Sequence, residues 1–443
     1  MSPLASASVY RAPRLIAIFV LALPWGCAGY QRVATETTTQ VSTEAGRVGT
    51  IKKELEAVRG LSFNRQFGIE ARRKNAIRQR LETALVKEYG ERRLENLALV
   101  YARLGLLPPG SDLKSLLLDF YAPRALGYYD PAGKNLVLRA DIGSSFVPTS
   151  VRVIARLDNA NERVLVHELT HVLQDQHFSL DGMGAAYNDD RVLAFHSILE
   201  GDATLAEFGF RWGGLDGEMV PLINRRLLAG VQKARAQATG GPRFLVDRLL
   251  FQYYSGTTFV SLLLADKGWS GIDRLYTSPP LSTEQVLHPE KYLDWPDPPT
   301  RVEFAGLEPL SREGWPAVES NSLGELMVQC LFAEFLVAAE AENAALGWDG
   351  DRYWAFRNGS EISLLWVTVW DSIDDAEEFV NKYGQVAVKK YGSMDAAAAN
   401  FYFERRDNVV MMVEGPGSDE AAGRFPLLWR RLKLTEEPFH PLS

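Results

Sequence analysis

Residues Val164 to Asp175 read V-L-V-H-E-L-T-H-V-L-Q-D, an H-E-x-x-H pattern set inside an apolar run of helical period. Leu165, Leu169, Val172 and Leu173 fall on one stripe of such a helix, while His167, His171 and Asp175 share a different face. Two histidines one turn apart project together, so both imidazoles can reach a single metal ion. Glu168, beside the first of them, then reaches a water on that ion without being a ligand itself, which is the arrangement for taking a proton from an activated water. Two imidazoles and a carboxylate buried with nothing to compensate them would be costly, which argues against a plain core helix.

A catalytic metal site of this kind needs a third protein ligand and keeps the fourth position for water. The stretch Arg191 to Phe208 reads as a second helix, with Leu193, Ile198, Leu199, Leu205 and Phe208 supplying apolar faces. Glu200 stands in it within E-G-D-A, between apolar residues where binding a dication would remove the cost of an isolated carboxylate. His196, one turn earlier, is the competing ligand. Asp202 and Asp175 are the nearest acidic groups able to orient the imidazoles through their outer ring nitrogens.

H-E-L-T-H followed by a second helix with L-E-G-D-A resembles the gluzincin metallopeptidases, whose third ligand is a Glu on the helix after the active-site helix, often in an E-G-x-A setting. The resemblance implies one Zn2+ per chain held by His167, His171 and Glu200, with Glu168 as general base and a peptide or protein as substrate. The interval from His171 to Glu200 is longer than in the best-known gluzincins, which makes the loop around Ser179 to Asn188 an insertion. The later run S-T-E-Q-V-L-H-P-E-K-Y, Ser282 to Tyr292, is similar to runs in uncharacterised bacterial proteins that also carry H-E-L-T-H and E-G-D-A. In those terms the resemblance extends from about Tyr128 to the C-terminal region.

Two other stretches fit the same site. Ala125 to Arg139 reads as two short strands around a D-P-A-G-K turn, and in zincins a strand just before the metal helix often forms the upper edge of the cleft. Amide hydrolysis passes through an oxyanion that needs a donor beyond the metal, and His288 and Tyr292 are nominated for it. A structural loop packed on the metal domain is the competing reading of that run.

At the N-terminus, Arg11 and Arg14 precede the apolar run Leu15 to Leu23, too short to span a bilayer comfortably and followed by Gly26-Cys27-Ala28. This reads as an export signal over residues 1–27, resembling a bacterial lipoprotein signal that would leave Cys27 lipidated. Pro24 and Trp25 depart from the usual lipobox, and simple secretion or a retained anchor are the alternatives. Residues 28–49 then form a polar tether. The second cysteine, Cys330, has no internal partner once Cys27 is modified, so stability must come from burial. The chain has 443 residues, of which 46% are hydrophobic, enough for a sizeable core and two domains. Its net charge of -8 argues against a nucleic-acid partner.

The expected fold class is α+β. A mainly helical, zincin-like metal domain with a small sheet occupies 50–319, its residues 50–120 all helical. A C-terminal α+β module of β-β-α-β-β-α order occupies 320–443. Two function classes follow. One is an exported zinc metallopeptidase of the cell envelope, anchored to the membrane through Cys27. The other is a metal-binding lipoprotein with a structural or assembly role and no hydrolysis, which would have no need of Glu168.

Overall fold

The computed structural model describes residues 18–21, 40–140, 159–178, 180, 188–237, 241–306 and 314–439. The architecture is α+β, as the periodicity predicts. Cys27 and residues 28–39 of the expected tether lie outside the described residues.

The first part is a helical layer with one four-stranded sheet, ordered β1 (Ile18–Leu21), β3 (Ala125–Asp130), β4 (Asn135–Arg139), β2 (Gly68–Arg72). β3 and β4 form the expected antiparallel hairpin, with Lys134 at φ 51 in its turn. β2 runs parallel to β4 and interrupts the stretch read as wholly helical. Five residues, G-I-E-A-R, carry too little pattern to announce a strand, and it is the partner β4 that makes it one. Within the expected export signal, β1 lies antiparallel along β3, with Val20 opposite Gly127.

The metal helix, Asn159–Phe178, follows the hairpin in sequence. Its stripe Leu165, Leu169, Val172 and Leu173 is fully buried against Ile51 and Leu55 of the first helix and against Tyr129, Leu136 and Leu138 of the hairpin. The next helix, Asp189–Trp212, is the central one: it is buried on every side from Leu193 to Gly209 except at His196. Asn188 caps its start by accepting from the Arg191 amide at 2.8 Å, and Gly213 at φ 77 ends it.

This helix crosses the later helix Gly256–Leu275 backbone to backbone. A Cβ on Gly201 would lie 2.6 Å from the Gly256 carbonyl oxygen, and one on Gly256 would lie 2.1 Å from the Ser197 carbonyl oxygen. The glycine of E-G-D-A is thus a packing requirement of the crossing. Just before it, Phe251–Ser255 winds as one π-helical turn.

The C-terminal part is a five-stranded antiparallel sheet, ordered β6 (Ala317–Asn321), β7 (Trp348–Asn358), β8 (Glu361–Trp370), β10 (Val409–Glu414), β9 (Phe401–Arg406). Its central strands are buried on both faces, and the pleat divides them. Leu364 and Trp366 of β8 join Val410 and Met412 of β10 on the side of the helix Ile373–Tyr391. Leu365, Val367, Met411 and Val413 meet Val302, Phe425 and Leu428 on the other side. The chain ends in β11 (Leu432–Glu436), which returns to pair with β5 (Thr300–Phe304). One hydrophobic core runs without a break from Leu193 and Ile198 of the central helix to Met327, Trp348 and Trp366 of the sheet.

Gly256→Ala tests the crossing. Alanine gains at most about 1 kcal/mol of helix propensity, whereas forcing an atom into a filled contact costs about 1–3 kcal/mol. A net loss of stability is expected in denaturant melts.

Candidate metal centre

His167 and His171 leave the metal helix on its second face, as their spacing requires, and Glu200 meets them from the central helix. Their donor atoms all lie within 4.8 Å of one another. Glu200 Oε2 stands 3.0 Å from His167 Nε2 and 3.9 Å from His171 Nε2. Donors at about 2.0–2.2 Å from one tetrahedral ion sit about 3.4 Å apart, so these spacings bracket what zinc needs. All three are buried, with exposures of 2%, 0% and 5% in chain order.

Hydrogen bonds settle how His171 is presented. Gln174 donates its amide nitrogen to the Leu199 carbonyl at 3.0 Å and to Asp202 Oδ2 at 3.1 Å, which leaves its Oε1 to accept. That oxygen faces His171 Nδ1 at 2.8 Å, so Nδ1 carries the hydrogen and Nε2 keeps its lone pair. His171 Nε2 is buried and has no hydrogen-bond partner among the described residues. An unsatisfied buried group costs about 1–3 kcal/mol, and a cation at the centre of the trio would relieve it. Burial holds both imidazoles down to pKa values of about 4, so both are neutral ligands near pH 7. Burial pushes Glu200 up to about 7, against a hydrogen bond from Tyr253 that favours its charged form.

The other nominated residues fall in different places. Glu168 is fully buried outside the trio, its carboxylate against β3: a Cβ on Gly127 would lie 3.0 Å from Glu168 Oε1. His196 does not join the trio. Its Nε2 is buried without a hydrogen-bond partner among the described residues, with Arg248 and His171 near enough to reinforce the lowering of its pKa that burial causes.

Asp202 reaches His171 only through Gln174 and is otherwise held by Arg59 Nε at 2.7 Å and by the Tyr276 hydroxyl at 2.6 Å. Asp175 does not orient a histidine. It accepts from the Tyr129 hydroxyl at 2.7 Å and from Lys134 Nζ at 2.8 Å, tying the metal helix to the hairpin. Gln174, one residue nearer to His171, has taken the role expected of Asp175.

His288 and Tyr292, nominated as oxyanion donors, are both engaged with other groups. His288 Nε2 lies 2.8 Å from Glu325 Oε1, and the Tyr292 hydroxyl donates to the Ser278 carbonyl while its ring packs on Phe259 and Phe439. The rest of that run is similarly engaged. Ser282 caps its short helix, Thr283 binds Asp190, and Lys291 Nζ sits among Glu284 at 2.6 Å, Asp297 at 2.9 Å and Asp371 at 2.5 Å. The density of polar residues was readable in the sequence, but it serves a packed joint.

What the sequence reading missed is Tyr253. It lies in the π-helical turn, is 4% exposed, hydrogen-bonds Glu200 and holds its ring 6.0 Å from that of His167. An extra residue in a helical turn shifts which side chain faces a neighbour, and such turns gather at functional sites. Nothing in F-Q-Y-Y-S marks the shift. Glu207, 3.9 Å from His167 Nδ1 and paired with Arg163, was missed as well.

Residues 312–423 match the model of a family described as a domain of unknown function, DUF8575. Comparison of the chain with curated proteins and with solved structures finds no match. The match covers the C-terminal sheet and none of the three residues of the trio.

Metal analysis of purified protein checks the centre. One zinc per chain is expected, with Glu200→Gln strongly weakening its retention and His196→Ala keeping it. Full zinc in Glu200→Gln with loss in His196→Ala would reverse the assignment of the third ligand.

Proposed function

We propose that the protein is an exported zinc-dependent peptidase. The observation that carries the reading is the buried lone pair of His171 Nε2, aimed at Glu200 and His167 in a cluster whose spacings suit one zinc ion. Bound there, zinc would supply Lewis acidity and bring the pKa of water toward about 7. Glu168, next to the first ligand and outside the trio, takes the proton from the attacking water and returns it to the leaving amine. The Tyr253 hydroxyl, which donates to Glu200 here, would turn its single hydrogen from that carboxylate to the oxyanion that develops on the substrate carbonyl.

The substrate path follows from β3. Gly127 stands against Glu168, and its missing side chain leaves the strand backbone close to the carboxylate. In the full chain β1 pairs along the edge of β3 opposite Gly127. Removal of residues 1–27 as an export signal would return those backbone groups to an extended peptide. On this reading Cys27 becomes the lipid-bearing N-terminus, held at an envelope membrane by more than one acyl chain. Among the described residues no helix is long and apolar enough to cross a membrane.

A second reading, in which the metal is structural and the protein is a binding or assembly lipoprotein, draws on the depth of the cluster, no member of which exceeds 5% exposure.

Glu168→Gln separates the two. It should leave zinc content and folding nearly intact while peptide-library hydrolysis falls by about 10²–10⁴-fold. Tyr253→Phe should lower kcat by about 10²–10³-fold with a smaller change in KM. A zinc-loaded wild type that cleaves nothing in the library would leave the structural reading standing. For location, Cys27→Ser should move the protein out of the membrane fraction. Unchanged fractionation together with an unlabelled wild type would point to secretion or a retained helix.

A further inference from the structure

The helix that carries Glu200 is gripped at its first turn by residues of the C-terminal part. The Asp189 amide donates to Asn321 Oδ1 at 3.0 Å, and Asn188 Nδ2 donates to Ser322 Oγ at 3.2 Å. Arg93 spans the joint, 2.9 Å from Glu319 and 3.8 Å from Asp189. The Asp190 carboxylate, 3% exposed, accepts the Thr283 hydroxyl at 2.5 Å, and that hydroxyl accepts in turn from the Leu326 amide at 3.2 Å. Gly324 closes the contact: at φ +76 it is in the left-handed region, and a Cβ there would lie 1.7 Å from Asp190 Oδ1.

The gripping segment is itself fixed to the sheet. Asp351 of β7 accepts from the amides of Leu323 and Gly324 at 3.0 Å each and from the indole nitrogens of Trp348 at 3.2 Å and Trp366 at 2.8 Å. The first turn of the Glu200 helix is thus tied to the five-stranded sheet through one short, hydrogen-bonded segment. From Asp190 to Glu200 the helix is unbroken, about 15 Å at 1.5 Å per residue. A helix transmits axial slip and rotation along its length with little loss, and a metal site must hold its ligands to within about 0.5 Å.

We propose that the C-terminal module is the positioning device for the third metal ligand: the segment Glu319 to Glu325 clamps the first turn of the Glu200 helix and thereby sets the affinity for metal. This rests on the metal-binding part of the proposed function and is independent of hydrolysis. Binding and clamping are then linked, so each must strengthen the other by the same factor.

The test uses the full chain and zinc alone. Zinc dissociation constants, measured against a chromophoric chelator, are compared for wild type, Gly324→Ala, Asn321→Ala, Asp190→Ala and the double variant Asp190→Ala with Gly324→Ala, each checked for native near-ultraviolet dichroism. Gly324→Ala and Asn321→Ala should weaken zinc by about tenfold, within the usual range for coupled sites. The double variant should lose less than the product of its single changes, because the carboxylate that the new methyl would strike is gone. If Gly324→Ala does not fold, Asn321→Ala carries the comparison, since it leaves Gly324 and the Asp351 ties of the segment in place. Reciprocally, zinc loading should slow hydrogen exchange at the amides of Leu323 and Gly324, far from the ion, which a merely structural joint would not do. Folded variants with wild-type zinc affinity, and exchange at Leu323 and Gly324 that ignores zinc, would overturn the inference. A wild type that takes up no zinc would instead overturn the metal centre on which it rests.

Discussion

Arg59 and Asp202 form a bidentate pair fully out of water, at 2.7 and 3.2 Å, and the cluster of His167, His171 and Glu200 is organised around it. Arg59 comes from the first helix and Asp202 from the central one. The same guanidinium reaches Asp273 at 2.7 Å, and the same carboxylate accepts from Tyr276 at 2.6 Å and from Gln174 at 3.1 Å. A buried pair of this sort contributes little net stability over an apolar substitute, yet losing one partner costs about 3–5 kcal/mol because a charge is stranded. Its value here is geometric. Three other segments converge on Asp202, through Arg59, Gln174 and Tyr276, and one of them, through Gln174, fixes the tautomer of His171.

E-G-D-A therefore packs several jobs into adjacent positions. Glu200 faces the histidines, Gly201 admits the backbone of the crossing helix, Asp202 turns to Arg59, and Ala203 is fully buried. A larger residue at Gly201 would move the helix away from Gly256, and the ligand on the preceding residue would move with it. This gives a physical reason why a carboxylate and a glycine belong together on such a helix, whatever the chemistry at the cluster.

Legibility in the sequence followed the reach of the interactions. The metal helix, the hairpin around D-P-A-G-K and the sheet strands β7, β8, β9 and β10 were readable because their signals are periodic and local. His167, His171 and Glu200 were singled out by their spacing and setting, and the structure brings their donor atoms within 4.8 Å of one another. β2, β5, β6 and β11 were not, since each is five residues long and is a strand only by virtue of a distant partner. Asp175 and Gln174 are neighbours in sequence, and which of them meets His171 depends on a rotation that only packing decides. Tyr253 was hidden by the π-helical turn, and His288 and Tyr292 attracted notice by their chemistry, while the partners they meet, Glu325 and the Ser278 carbonyl, could not be read from the sequence.

The two helices that build the cluster are secured in different ways. The metal helix is seated by an apolar stripe, and such contacts resist separation but are weakly directional. Its register is set by a few polar ties, Asp175 to Tyr129 and Lys134 on one flank and Gln174 to Asp202 on the other. The central helix is fixed by directional contacts at its first turn and at its middle, with a glycine crossing between them. Geometry at the trio is the difference between these two placements, so an error in either appears in full at the ligand atoms. A chain that holds three buried donors at spacings of 3 to 4 Å has reason to anchor the helix bearing the carboxylate at its first turn as well as at its middle. The carboxylate comes from the farther helix and has no sequence neighbour among the histidines to keep it in place.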